Sequence, residues 1–389
     1  MQNFEFLSPT KIIFGKGTEN KVGREMKKLG EKVLLHYGGG SIKKSGLYDI
    51  IAASLKSEGL EFVELGGVMP NPRLSHVNEG IKFCREQKID CILAVGGGSV
   101  FDSAKTIALG VPYAGDVWDF YDGKAVPKEA LPLGVVLTIP ASGSEASQSS
   151  VVTNENGGLK RGFNTLFNRP TFAIMNPELT FTLPPYQTAC GVSDIMAHLM
   201  ERYFTRVPDV DLTDRLSEAA LQTVIANGPV VLEKPDDYAA RAEIMWAGTL
   251  AHNDLLGTGR VGDFASHWIE HELSAINDVA HGAGLSIIFP AWMKYVYMQG
   301  LDRFVQFAVR VWNVGQNFEH PERTALEGIE RMKGFFVKMG LPVSLKEIGI
   351  TPKDFDLIAD KCKKSPEGAA GNFVKLYRED IINILKLAE

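Results

Sequence analysis

Residues 267 to 282, HWIEHELSAINDVAHG, carry three of the chain's eight histidines: His267, His271 and His281. His267 and His271 are four residues apart, so on a helix they share a face. His281 follows the segment SAINDVA, where a turn can return it toward that face. Upstream, CGVSDIMAHLMERYF sets Asp194 and His198 one turn apart on another predicted helix. Together the two stretches can offer one carboxylate and three imidazoles to a single divalent cation. A lone histidine is more often a core residue than a ligand. What points to a metal is the repetition of ligand-type pairs at one-turn spacing, plus His281 between Ala280 and Gly282. Cys190, one turn before Asp194, is either a rival donor or a small buried apolar residue.

Neutral imidazoles with one carboxylate suit Fe²⁺ or Zn²⁺ rather than Ca²⁺. A dication facing one carboxylate keeps a residual charge of about +1. That charge stabilises an alkoxide, or in the reverse direction polarises an aldehyde carbonyl for hydride attack. A hydride donor of the nicotinamide type would have to be held by the protein against the reacting carbon. His271 reads either as a proton relay or substrate contact, or as a hydrogen-bond partner behind the ligands.

The nicotinamide requires a nucleotide-binding scaffold, and the first half of the chain has its rhythm. KVLLHY (32–37), EFVEL (61–65), CILAV (91–95), LGVVLTIP (133–140) and FAIMNP (172–177) read as strands, alternating with amphipathic stretches such as SGLYDIIAASLKSEG and RLSHVNEGIKFCREQKI. Strand–turn–helix alternation predicts a parallel sheet covered by helices. SVVTNENGGLKRGFN reads as a hairpin with Asn156-Gly157 at its turn. In CILAVGGGSVFDSAK, three glycines, with Gly97 and Gly98 among them, separate a strand from a helix. Ser99 is placed as its N-cap, and the exposed N–H groups suit a pyrophosphate. Asp102 is either a first-turn carboxylate or a contact to the nicotinamide side of the cofactor. The first glycine run, YGGGSIKK, has no acid after the strand to repel a 2′-phosphate, and Lys43 and Lys44 are close by, which favours NADP(H). Thr138, Ser142 and Ser144 can offer hydroxyls, and Lys160 in the hairpin can reach a ribose or phosphate.

After TLPPYQTACG the chain reads mainly as helices, Pro184 and Pro185 suiting a helix entry. An α/β cofactor domain is therefore expected at 1–184 and a helical metal-binding domain at 185–389. A net charge of −6 argues against nucleic acid, whose phosphates need a basic footprint. No apolar run approaches the roughly 20 residues of a membrane span. Four cysteines without CxxC or disulfide-like spacing, and an amino terminus unlike a signal peptide, point to the cytoplasm.

The chain resembles the iron-containing (group III) alcohol dehydrogenases, within them the NAD(P)H-dependent butanol dehydrogenases and broad-range aldehyde reductases. The resemblance rests on FLSPTKIIFGKGT, YGGGSIKK, PNPRLS, AVGGGSVFDSAK, LTIPASGSE, TLPPYQTACGVSDIMAHLMERYF and EHELSAINDVAHGAGLSIIFPAWMKY, and covers nearly the whole length. It implies a dehydroquinate synthase-like architecture, an α/β dinucleotide domain followed by an all-α domain, and commonly a homodimer. It implies Asp194, His198, His267 and His281 as metal ligands and His271 in the active site. Around the cofactor it implies Gly39, Gly40, Ser41, Asn71, Gly97, Gly98, Ser99, Asp102, Thr138 and Lys160. The GGGS form of the first glycine run is associated with NADP(H), NAD(H) being the other possibility. The pattern is departed from at Asn277, where the subgroup often has tyrosine, and in the ASQSS loop. The reaction expected is interconversion of primary, butanol-like alcohols and aldehydes. Rivals are an NAD-dependent glycerol or polyol dehydrogenase, a lyase of the dehydroquinate synthase type, and a non-catalytic ligand-binding protein of the same fold.

Overall fold

Sheet geometry determines where the candidate cofactor residues emerge. The structure, a computed structural model, describes residues 1–362 and 365–389. These form two compact units, one of Leu7–Thr182 and one of Met1–Phe6 with Leu183–Glu389.

The first unit is built on a parallel sheet of six strands: β1 (Lys11–Phe14), β2 (Lys32–Tyr37), β3 (Glu61–Leu65), β4 (Cys91–Gly96), β5 (Leu133–Leu137) and β8 (Phe172–Met175), in spatial order β1-β8-β5-β4-β2-β3. β6 (Ser149–Asn154) and β7 (Leu159–Asn164) form a separate antiparallel hairpin. Every residue of β4 and β5 is buried, as central strands covered on both faces must be. Helices α1 (Val22–Met26), α2 (Ser41–Lys44), α3 (Leu47–Ser57), α4 (Leu74–Gln87), α5 (Gly98–Gly110) and α6 (Trp118–Tyr121) connect or flank the strands. Because the strands are parallel, the segments that follow β2, β4 and β5 leave the sheet at the same edge.

Two local readings change. The helix after the second glycine run begins at Gly98, with Gly97 rather than Ser99 at its N-cap. The Gly97 carbonyl accepts from the N–H of Val100 at 3.0 Å and of Phe101 at 3.2 Å, so Ser99 already lies inside the first turn. The hairpin turn is also longer than the Asn-Gly pair. Asn154 faces Leu159 across the ladder, and both Gly157 and Gly158 take positive φ, 97° and 58°.

The second unit is helical among its described residues: α7 (Pro185–Tyr203), α8 (Asp211–Glu233), α9 (Tyr238–His252), α10 (Ala265–Asn277), α11 (His281–Val296), α12 (Leu301–Trp312), α13 (Pro321–Lys338), α14 (Phe355–Lys361) and α15 (Arg378–Leu387). α7 begins with Pro185 in its first turn, where a missing N–H is harmless. Phe204, Trp292, Phe304 and Phe373 pack ring against ring in its core, the Phe204 and Phe304 centroids 4.7 Å apart. α11 is buried on nearly all sides, which fixes the position of the histidine at its first residue. No helix among the described residues is long and apolar enough to cross a membrane.

Candidate functional site

Asp194 and His198 stand one turn apart on α7, and α10 and α11 bring His267 and His281 to them. Asp194 Oδ1 lies 3.3 Å from Nε2 of His198, 4.0 Å from Nε2 of His267 and 3.7 Å from Nε2 of His281. Three imidazole nitrogens thus surround one carboxylate oxygen. Asp194, His198 and His267 are buried and His281 is partly so. Burial, reinforced by the charge of neighbouring His281, pushes His267 down to about 3, and burial with His252 and His267 keeps His198 well below the ordinary histidine range. Both rings are therefore neutral, the form that binds metal. His267 Nε2 is buried and has no hydrogen-bond partner among the described residues. An orphaned polar atom of this kind costs about 1–3 kcal/mol unless something accepts its lone pair. The donors fit a borderline dication such as Fe²⁺ or Zn²⁺.

The far nitrogens of two of these rings are held by buried glutamates. Nδ1 of His267 is 2.8 Å from Glu201 Oε1, and Nδ1 of His281 bonds Glu270 Oε2. A carboxylate that accepts Nδ1–H fixes the tautomer whose Nε2 lone pair faces the other donors. Glu201 also accepts the backbone N–H of Phe264 at 2.5 Å and of His267 at 3.1 Å, tying the start of α10 to α7. Glu270 accepts a further bond from Ser274 Oγ. Sequence reading missed both glutamates. The available signal was spacing: Asp194, His198 and Glu201 recur on one helical face, and Glu270 lies one turn beyond His267.

Two glycines make this approach possible. A Cβ on Gly282 would run into the backbone carbonyl of Cys190, so α11 meets α7 backbone to backbone beside His281. A Cβ on Gly284 would lie 2.6 Å from Glu270 Cγ. Cys190 itself does not join the donor cluster of Asp194, His267 and His281, and burial pushes its thiol up to about 11. His271 is half-buried, its ring 5.6 Å from that of His281. It is placed beside the cluster rather than around Asp194. His252, given no role from the sequence, stacks on His198 at 4.2 Å.

In the α/β unit, adjacent strands carry the cofactor candidates to one sheet edge: Gly39, Gly40 and Ser41 after β2, Gly97, Gly98 and Ser99 after β4, and Thr138 after β5. The two glycine runs do different work. A Cβ on Gly97 would lie 2.9 Å from Ile139 and one on Gly98 would strike Ser142, so these positions are filled by the protein's own packing. A Cβ on Gly39 or Gly40 would meet nothing within 4 Å, and Gly40 has φ 98°. Thr138 donates its N–H to Gly96 O at 2.8 Å. Asn71 is buried with φ 54° in the segment between β3 and α4. Asp102 accepts from Ser144 Oγ at 2.6 Å and from the N–H of Val151 at 3.0 Å, which joins α5 to the hairpin. Lys160 is buried on β7, opposite Thr153, rather than solvated. Lys105 was missed: its ammonium is buried and donates to Ser144 Oγ at 2.8 Å and Ser149 O at 2.7 Å. The lysine beside the first glycine run is also not solitary, since Lys43 Nζ lies 2.8 Å from Glu64 Oε2.

Comparison with known proteins agrees across both units. The model of iron-containing alcohol dehydrogenase matches residues 9–177, and that of the Fe-containing alcohol dehydrogenase family, C-terminal, matches residues 188–388. The chain is 44% identical over 387 residues to probable NADH-dependent butanol dehydrogenase 2 of Bacillus subtilis, covering 99% of both. It is 37% identical over 368 residues to the NADPH-dependent aldehyde reductase YqhD of Escherichia coli, covering 94% of both. The crystal structure of NADH-dependent butanol dehydrogenase A from Thermotoga maritima superposes with a TM-score of 0.96 at 44% identity, over 100% of this chain and 99% of that one.

Proposed function

The chain belongs to the iron-containing alcohol dehydrogenase family, and on that premise we propose that it interconverts primary alcohols and aldehydes with NADP(H), through a divalent metal held by Asp194, His198, His267 and His281. The observation that carries this reading is the convergence of three imidazole Nε2 atoms on one buried carboxylate oxygen. Fe²⁺ or Zn²⁺ held there would act as a Lewis acid on the alcohol or carbonyl oxygen. Glu201 and Glu270 orient the rings of His267 and His281, and burial keeps His267 and His198 neutral. His271, half-buried beside His281, is the group we assign to substrate contact and proton exchange with solvent.

Gly39, Gly40, Ser41, Asn71, Gly97, Gly98, Ser99, Asp102, Thr138 and Lys160 are the residues we assign to the dinucleotide. NADP(H) is favoured over NAD(H) because no acid stands in the Gly38–Ser41 run, which is open at Gly39 and Gly40, to claim a ribose diol or repel a 2′-phosphate. A homodimer in the cytoplasm, acting on small alcohols and aldehydes, completes the proposal. Initial rates of the metal-loaded protein with butyraldehyde, butanol and glycerol, each with both nicotinamides, test it. Aldehyde reduction faster with NADPH than NADH supports it. Turnover of glycerol with NAD alone, or of nothing, refutes it.

A further inference from the structure

Resting on the dinucleotide assignment above, we propose that Glu64 tunes the choice between NAD(H) and NADP(H) by holding Lys43 in a closed ion pair beside the first glycine run. The loop after β2 carries Lys43 and Lys44 and no acid from Gly38 to Gly46. The acid comes instead from the neighbouring strand: Glu64 lies on β3, opposite Leu35 of β2, one residue before the strand ends. Its Oε2 is 2.8 Å from Lys43 Nζ and accepts the Tyr37 hydroxyl at 2.7 Å, while Oε1 accepts the Tyr48 hydroxyl. The Lys43 ammonium also sits over both tyrosine rings, 5.1 Å and 4.7 Å from their centroids. The lysine is thereby clamped on three sides. Burial alone would raise the Glu64 carboxyl, but the bonds from Lys43, Tyr48 and Tyr37 outweigh it and hold the group down to about 2.

A carboxylate near the adenosine ribose ordinarily selects NAD(H) by bonding the diol and repelling a phosphate. Here the carboxylate works through the lysine. It cancels the positive charge that a 2′-phosphate, with about two negative charges, would otherwise attract. NADH carries no such group and is indifferent to the pair. Glu64→Gln keeps the side-chain shape and the acceptor for a tyrosine hydroxyl, frees the Lys43 charge and removes a like charge from the neighbourhood. Both consequences act in the same direction, toward NADP(H).

The test is fluorescence titration of the full-length protein with NADPH and with NADH, at low and high salt, for wild type, Glu64→Gln, Lys43→Met and the double variant. We expect Glu64→Gln to raise the NADPH-to-NADH affinity ratio about tenfold, about 1.4 kcal/mol, with the gain shrinking at high salt. Lys43→Met should erase that gain in the Glu64→Gln background and change the wild-type ratio by less than about twofold, because the lysine is already engaged. An unmoved or lowered ratio in Glu64→Gln overturns the proposal. So does a large loss of NADPH binding in Lys43→Met alone, a readout that stands even if Glu64→Gln fails to fold. Wild-type protein that binds neither nucleotide overturns the dinucleotide assignment and this proposal together, whereas tight binding of both with an unmoved ratio overturns this proposal alone.

Discussion

Replacing Glu201 with glutamine changes one charge behind His267 and almost no volume. Glu201 is fully buried and accepts three N–H groups, from the His267 ring and from the backbones of Phe264 and His267. Burial raises its carboxyl to about 8 despite the two backbone donors that oppose the rise. Glutamine has one carbonyl oxygen where Glu201 uses two, so its amide N–H2 must face at least one of these buried donors, and apoprotein stability should fall by about 1–3 kcal/mol. Metal binding is where the charge matters. A charge-assisted bond contributes about 1.5–3 kcal/mol against about 0.5–1.5 for a neutral one. The lost difference is about 1.5 kcal/mol, or roughly tenfold in metal affinity, at the low end of the 10–100-fold found for such partners. Competition of Zn²⁺ between the variant and a chromophoric chelator gives the affinity, and thermal unfolding of the metal-free proteins gives the stability. Zn²⁺ affinity within twofold of wild type would refute the assignment of Glu201 as the group that orients His267. A parallel loss of apoprotein stability above about 3 kcal/mol would show instead that the residue serves folding.

Gly282→Ala should force α11 away from the Cys190 carbonyl on α7, so Zn²⁺ affinity should fall by tenfold or more while helical content measured by circular dichroism stays within error. Lys105→Met strands the Ser149 carbonyl and removes a donor from Ser144. It should destabilise the protein by about 3 kcal/mol in urea unfolding and weaken NADPH binding through the displaced Asp102–Ser144 pair. The Glu64 carboxyl is depressed from 4.5 to about 2, so its stabilisation is complete above the unfolded value and is lost as pH falls from 4.5 toward 2. The Tm of Glu64→Gln should accordingly fall less than that of wild type between about pH 5 and about pH 3; equal slopes would show that the Lys43 pair contributes nothing.

The central strands were legible because dense runs such as VLL and CILAV can only be buried on both faces. β1 was not read as a strand: KIIF is four residues at the sheet edge, with its outer positions exposed and a glycine directly after it. α11 escaped for the opposite reason. Its apolar residues run all round the helix, leaving no 3.6-residue stripe, and Pro290, Gly282 and Gly284 read as breakers. The sequence therefore showed His281 after a possible turn, while the fold places it on the first residue of a helix. Pro229 is likewise a breaker by type, yet α8 continues four residues past it. Asp194 and His198 were legible because their one-turn spacing lies within one helix. Glu201 acts across to α10, and nothing local to α10 shows where α7 will lie. The two GGGS runs look alike as text, yet one is packed against Ile139 and Ser142 and the other is open. The pairing of Lys43 with Glu64 depends on which strand neighbours β2, which spacing along the chain does not encode.

Elemental analysis of anaerobically purified protein tests the metal centre most directly, because Asp194 Oδ1 is the atom on which all three Nε2 donors converge. We expect about one iron or zinc per wild-type chain and less than about a tenth of that in Asp194→Ala with the fold intact. Metal retained at the wild-type level by folded Asp194→Ala, or absent from wild type after reconstitution with Fe²⁺ and with Zn²⁺, would contradict the site.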